Sequence, residues 1–171
     1  MTKKFFARDT LVVARDLVGM ELVRRVGSKT IRAMVTETEA YCGFEDKASH
    51  ASRGKTKRNA PMFGAAGTIY VYLIYGMYWC LNIVTEREWY PAAVLIRGIK
   101  ILPDGPVVTG PGRVCRALKI TGMLSGKNIF DKRTGLALGN RVAKPQRIKR
   151  TRRVGVDYAG TWSQKPWRFL L

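Results

Sequence analysis

Two glutamates end an otherwise apolar segment of the chain, in the run Glu37-Thr38-Glu39-Ala40-Tyr41. Carboxylates rarely go inside a protein without a partner or a task. Glu39 is the candidate for a task, because a carboxylate can take a proton from water and can stabilise positive charge developing beside it. With 31 Lys and Arg residues in the chain, the plainer reading of Glu39 is one half of an ion pair. Arg97 ends a second apolar segment, Ala93-Val94-Leu95-Ile96-Arg97-Gly98, and needs an anion that Glu39 could supply. The sole histidine, His50, lies in Asp46-Lys47-Ala48-Ser49-His50-Ala51, and a lone histidine is more often structural than functional. Tyr70, Tyr72, Tyr75 and Tyr78 could simply fill a sheet. Tyr75 differs from the others because it stands beside Gly76 at a predicted turn, where its ring is exposed. An exposed ring on a cationic protein is a candidate wedge between bases.

The elements that must carry these groups follow from patterning. Asp9 can cap a helix over Thr10–Val18, with Gly19 as its stop. Glu21–Val26 reads as a strand and Gly27-Ser28-Lys29 as a turn. Thr30–Tyr41 alternates, with Ile31, Ala33 and Val35 on one face and Arg32 and Thr36 on the other. Continued unbroken, that alternation puts Glu37, Glu39 and Tyr41 on the apolar face. Glu45–Asn59 is polar and predicts a loop with a short helix. Thr68–Val84 is rich in aromatic and β-branched residues and predicts two strands divided at Tyr75-Gly76. Ala92–Leu102 predicts a further strand carrying Arg97, Gly112–Ile120 a helix, and the region from Val154 a final strand. Strands joined by loops and a few helices, without a βαβ rhythm, predict an α+β fold.

Bulk composition narrows the partners. A chain of 171 residues with no repeat or linker reads as one domain over residues 1–171. Apolar residues make up 46% of it, enough for a core. No uncharged apolar run approaches the eighteen or so residues of a membrane span, and the N-terminus lacks the apolar stretch of a signal peptide. Three scattered cysteines, no CxxC and one histidine do not make a zinc site or a disulfide framework. No metal or cofactor is expected. The cysteines read as reduced, in an intracellular protein of the cytoplasm or nucleoid of a prokaryote or the nucleus of a eukaryote. Lys and Arg exceed Asp and Glu by 31 to 12, a net charge of +19. An excess this large suggests a polyanion partner, DNA, RNA or an anionic membrane, with genomic bias as the bland alternative.

Weak singly, these signals join in four blocks. The first is Glu37-Thr38-Glu39-Ala40-Tyr41 followed by Asp46-Lys47-Ala48-Ser49-His50. The second is Thr56-Lys57-Arg58-Asn59 followed by Met62-Phe63. The third runs from Gly67 to Asn82, with Tyr-Val-Tyr-Leu-Ile-Tyr-Gly-Met-Tyr at its centre. The fourth is Arg153-Val154-Gly155-Val156, then Ala159-Gly160 and Lys165-Pro166-Trp167-Arg168-Phe169. In order and spacing the sequence resembles the alkyladenine DNA glycosylases, the mammalian-type 3-methyladenine DNA glycosylases, from the first helix to Phe169. The resemblance implies a curved antiparallel sheet with flanking helices and a protruding, DNA-inserting β-hairpin. It implies a monofunctional enzyme of base excision repair that flips a damaged purine from double-stranded DNA and hydrolyses its glycosidic bond. The family accepts several purines, including 3-methyladenine, hypoxanthine and ethenoadenine.

By the same resemblance, Glu39 is the general base, Arg97 helps hold its water, and the Val154 carbonyl is the water's third anchor. Tyr41, His50 and Tyr72 sandwich the flipped base, main chain around Ala48 and His50 reads its edge, and Asn82 crowds the 2-amino group of guanine. Tyr75 intercalates, with Met77 beside it in the minor groove. Lys55, Thr56, Arg58 and Arg113 meet phosphates. No membrane partner and a monomer are expected. The segment Glu86–Pro91 is longer than in the mammalian relatives and the loop before Arg58 shorter, and no role is carried over between Thr121 and Arg152. The basic stretch Lys144–Arg153 reads as a phosphate-facing loop rather than a nuclear signal. Three rival readings stand beside this one: a non-catalytic nucleic-acid-binding protein; a glycosylase that also cuts the strand through a Schiff base, which needs an activated amine in the pocket; and the resembled fold with its activity lost, against which the presence of Glu39 argues.

Overall fold

A short helix, Lys3–Phe6 (α1), leads to Asp9, whose side chain accepts the Val12 N–H at 3.0 Å and caps the helix Thr10–Leu17 (α2). This capping satisfies a main-chain donor that the first turn leaves free. The computed structural model describes residues 2–171. Gly19, at φ +85°, turns the chain out of the helix into Met20–Val26 (β1), which pairs antiparallel with Lys29–Tyr41 (β2). The helix and first two strands lie where the sequence predicts them.

The remaining strands are Ile69–Ile74 (β3), Tyr78–Val84 (β4), Ala93–Ile101 (β5), Val107–Thr109 (β6), Leu136–Arg141 (β7), Lys149–Thr151 (β8) and Arg168–Leu170 (β9). A helix, Pro111–Ala117 (α3), follows β6. The sheet runs β3-β4-β5-β2-β1-β7, with β6 beside β5 and β9, carrying β8, beside β2. Every pairing is antiparallel, so the fold is a single α+β domain built on an antiparallel sheet. One sheet face packs with α2 and α3 into the core, where Val13, Leu17, Val35, Ile96, Ile99 and Leu118 are almost wholly buried. Each such side chain contributes about 1.5–3 kcal/mol relative to exposure.

Four sequence expectations are corrected. First, the alternation of β2 does not continue unbroken. The β2–β5 register slips between Val35 and Glu37 and again between Glu37 and Thr38. Before the slip Ala33 and Val35 face the core; after it Thr38 and Ala40 do, with the Thr38 hydroxyl on the Ala14 carbonyl at 2.8 Å. A bulge of this kind turns every later side chain to the other face, so Glu37, Glu39 and Tyr41 leave the core face. Second, Glu45–Asn59 holds turns rather than a helix, and the next helical turn, at Ala60–Phe63 just beyond it, is 3₁₀. Third, no strand starts at Val154. Gly155 and Gly160 take φ of +73° and +58°, and the segment winds into 3₁₀ turns at Asp157–Gln164 before β9. The basic stretch is not loop throughout either, since β8 lies within it and pairs with β9.

Candidate active site

Strand register assembles the site. Tyr70 lies opposite Asn82, Asn82 opposite Leu95, and Leu95 opposite Glu39, one row across β3, β4, β5 and β2. Residues directly opposite in adjacent strands share a face, and this row floors a cavity of about 520 Å³ on the side away from the core. That volume suits a nucleobase-sized ligand.

Glu39 is wholly buried at the cavity wall. Its Oε1 accepts the Val154 N–H at 2.9 Å and its Oε2 the Tyr41 hydroxyl at 2.9 Å. Arg97 Nε stands 3.6 Å from Glu39 but 2.9 Å from Glu37. Glu37 is therefore the nearer anion, and it also receives Arg168 Nε at 2.5 Å. Arg97 pairs with Glu37 by charge, because its Nε–H is not aimed well enough for a hydrogen bond. Gly98 makes room for this cluster: a methyl group there would lie 2.8 Å from the Glu37 Cβ.

Burial raises the Glu39 carboxyl above the ordinary glutamate range; Arg97, the Val154 N–H and the Tyr41 hydroxyl pull it back only in part, and Glu37 adds to the rise. Arg97, a nearby cation, favours ionisation, but desolvation outweighs it. Tyr41 and Tyr72 are pushed well above the usual phenol range by burial, so both remain donors. Burial raises the Cys80 thiol to about 11, which keeps it un-ionised in the cavity wall.

The aromatic wall differs from parallel plates. His50 meets Tyr72 at 4.5 Å and 82°, edge to face. Its Nδ1 lies 3.1 Å from the Tyr70 hydroxyl. Burial, then the charge of Arg58, lowers the His50 pKa and favours the neutral ring. Tyr70, which could have been mere sheet filling, thus orients His50. Ala48 is engaged on both sides, its N–H by Asp46 at 3.1 Å and its carbonyl by the Tyr158 hydroxyl at 3.2 Å. A base edge can use only the carbonyl's remaining lone pair. The Asn82 amide donates to the Tyr70 and Cys80 carbonyls, each at 3.2 Å.

Asp46 and Arg153, both wholly buried in their side chains, form a two-point ion pair at 2.5 and 2.8 Å. The sequence carries both residues in its blocks but gives no sign that they meet, since 107 positions separate them. Tyr158 likewise lines the cavity unannounced.

Ten of the fourteen predicted residues line the cavity: Glu39, Arg97, Val154, Tyr41 and Ala48, together with His50, Tyr72, Asn82, Arg58 and Tyr75. Arg58 stands at its mouth, donating to the Leu73 carbonyl at 3.0 Å, with its guanidinium 5.2 Å over Tyr72. Tyr75 projects from the β3–β4 turn, 85% exposed and with φ +51°. Four residues lie elsewhere. Met77 borders a separate groove beside α3. Lys55 covers the exposed Trp89 ring at 4.3 Å, Thr56 closes a turn with Asn59, and Arg113 lies exposed on α3. Among the described residues no group of three or more His, Cys, Asp or Glu could hold a metal ion, and no helix is long and apolar enough to cross a membrane.

Known proteins share this chain over its length. The Methylpurine-DNA glycosylase (MPG) family matches residues 4–171. A relative from Sodalis glossinidius is 47% identical, over 99% of this chain and 95% of its own. One from Methanocella arvoryzae is 44% identical over 99% and 90%, and one from Anaeromyxobacter sp. 45% identical over 100% and 88%. All three carry the name "Putative 3-methyladenine DNA glycosylase". A family match over almost the whole length, with relatives at this identity, places the chain: it belongs to the methylpurine-DNA glycosylase (MPG) family of DNA-repair enzymes.

Proposed function

We propose that the chain is a monofunctional 3-methyladenine DNA glycosylase of base excision repair, releasing damaged purines of the 3-methyladenine, hypoxanthine and ethenoadenine class. The observation that carries the proposal is a wholly buried carboxylate, Glu39, at the wall of a base-sized cavity lined by Tyr41, His50 and Tyr72. A base within the duplex cannot present its C1′ to water, so the nucleotide must be extruded, at a cost of a few kcal/mol. Tyr75, exposed at the tip of the β3–β4 hairpin, fills the gap left behind, with Met77 beside it in the minor groove. The purine enters between the aromatic rings, and the fixed Asn82 amide has no freedom to swing aside for a guanine 2-amino group.

The C1′–N bond breaks with its electron pair leaving on the purine, and positive charge develops on the sugar. Ionised Glu39 faces that charge and stabilises it. Water, held by Glu39, Arg97 and the Val154 carbonyl, adds its oxygen to C1′ and gives its proton to Glu39. Cationic 3-methyladenine leaves as the neutral base, whereas hypoxanthine or ethenoadenine leaves as an anion and takes up the proton that Glu39 accepted from water; the products are free base and an abasic site. The cavity lining contains no lysine, which favours hydrolysis over a Schiff base. Arg58 at the mouth, with Lys55, Thr56 and Arg113 on the flanking surface, is assigned to phosphates. The protein acts as an intracellular monomer on double-stranded DNA.

A duplex with one hypoxanthine, incubated in EDTA, tests this directly. Strand breaks that appear only after alkali are expected. Breaks without alkali, or a covalent adduct trapped by borohydride, would contradict hydrolysis by water.

A further inference from the structure

Glu39 owes its place to two donors, and one buried residue holds both of them. The Arg153 guanidinium lies between the Tyr41 ring, at 4.8 Å, and the Trp167 ring, at 5.0 Å. Tyr41 is the residue whose hydroxyl meets Glu39 Oε2. Arg153 also precedes Val154, whose N–H meets Glu39 Oε1. The guanidinium is fixed in its turn: it donates to the Ala40 carbonyl at 2.8 Å, to both Asp46 oxygens, and to the Trp162 carbonyl at 3.2 Å. Asp46 continues the chain of contacts, accepting the Cys42 N–H at 3.2 Å and the Ala48 N–H at 3.1 Å. One side chain therefore joins the strand that carries Glu39, the loop that carries Ala48 and His50, and the segment that carries Val154.

From this geometry we infer that Arg153, locked by Asp46, is the positioning residue of the Glu39 carboxylate, aligning its two hydrogen-bond donors and the base-reading loop in one act. The inference rests on Glu39 being the general base. A buried ion pair is weak evidence for stability, because desolvating two charges offsets their attraction, so stability alone does not explain this one. Lysine cannot replace the planar fork, since one nitrogen cannot serve Ala40, Trp162 and two Asp46 oxygens together.

The test is a single-turnover pH profile of hypoxanthine release. Arg153→Lys keeps the buried charge, and the double variant Asp46→Asn with Arg153→Gln removes both charges and so leaves none unpaired. Thermal unfolding establishes that each folds. The expected result is a loss of about 10–100-fold in rate, the scale of an ångström-level misplacement, with duplex affinity within about threefold of wild type. The acid limb of the profile also moves to higher pH, because the Val154 and Tyr41 donors that favour ionised Glu39 are no longer aligned. The other groups that shift Glu39, Arg97 and Glu37, and Tyr72 and Cys80, which feel its charge, are unaltered in both variants. Folded variants whose rate falls with the acid limb unmoved, or whose rate does not fall, would overturn the assignment. Glu39→Gln run alongside separates the two claims: activity retained there removes the general base itself, whereas an inactive Glu39→Gln with an unmoved limb in the Arg153 variants removes only the positioning role.

Discussion

A carboxylate with no exposure to solvent is held at a cost, and the cost has a sign. Burial raises the Glu39 pKa above the unfolded value of 4.5, so the ionised form that the proposed mechanism uses opposes folding. The penalty is complete above the folded pKa, shrinks as pH falls through it, and is gone below the unfolded value, where folded and unfolded chains both bind the proton. Glu39→Gln, which can still accept from Val154 through its amide oxygen, should therefore raise the unfolding temperature at neutral pH, by about 2–4 °C for each kcal/mol relieved. The gain should close as the solution is acidified toward pH 4.5; a gain that persists unchanged in acid would remove the raised pKa as its cause. At this scale the sequence was partly legible. Glu39, Tyr41, His50, Tyr72 and Asn82 are found because they sit in short, dense motifs. Glu37 as the nearer partner of Arg97, the Asp46–Arg153 pair, and the contacts of Tyr70 and Tyr158 are not, because those partners lie far apart in the chain and charge alone does not say which cation meets which acid.

The elements were legible wherever one physical signal dominated. Asp9 before an apolar run announced α2, and aromatic and β-branched density announced β3 and β4. The bulge in β2 was not legible, because its residues have the same types as an unbroken strand, yet it sends the acids to the cavity rather than the core. Gly98 sits at this slip. Gly98→Ala would press a methyl group on Glu37, and should cost about 1–3 kcal/mol of stability as an overpacked site. Denaturant unfolding checks this, and an unchanged midpoint would mean that the strands relax around the new group. The β3–β4 turn stores strain of another kind. Tyr75 holds φ +51°, a conformation costly for any residue but glycine, by about 1–2 kcal/mol. Tyr75→Gly should then melt higher than Tyr75→Ala, while both bind a hypoxanthine duplex more weakly and release its base more slowly than wild type. Equal duplex affinity and release rate in both would remove Tyr75 as the wedge.

Over the whole molecule, a charge of +19 and an arginine at the cavity mouth suit a ligand recognised first through its phosphates. Counterion release then sets the affinity. With four or more phosphates neutralised, duplex binding should weaken about a hundredfold or more between 50 and 200 mM salt, and as steeply for undamaged DNA. A shallow salt dependence, measured by fluorescence anisotropy, would mean that the positive surface faces something else. Charge and composition point to a polyanion partner, but they do not distinguish a repair enzyme from a passive DNA-binding protein; the family match over residues 4–171 makes that distinction, and in the proposed mechanism one carboxylate carries the chemistry. The most direct measurement is therefore single-turnover release of hypoxanthine from duplex DNA by wild type and Glu39→Gln, with the affinity of each protein for the same duplex determined in parallel. Equal binding with release slowed at least about a hundredfold in the variant, the scale of a lost general base, is the expected result. Release by Glu39→Gln at the wild-type rate would contradict the account at its centre.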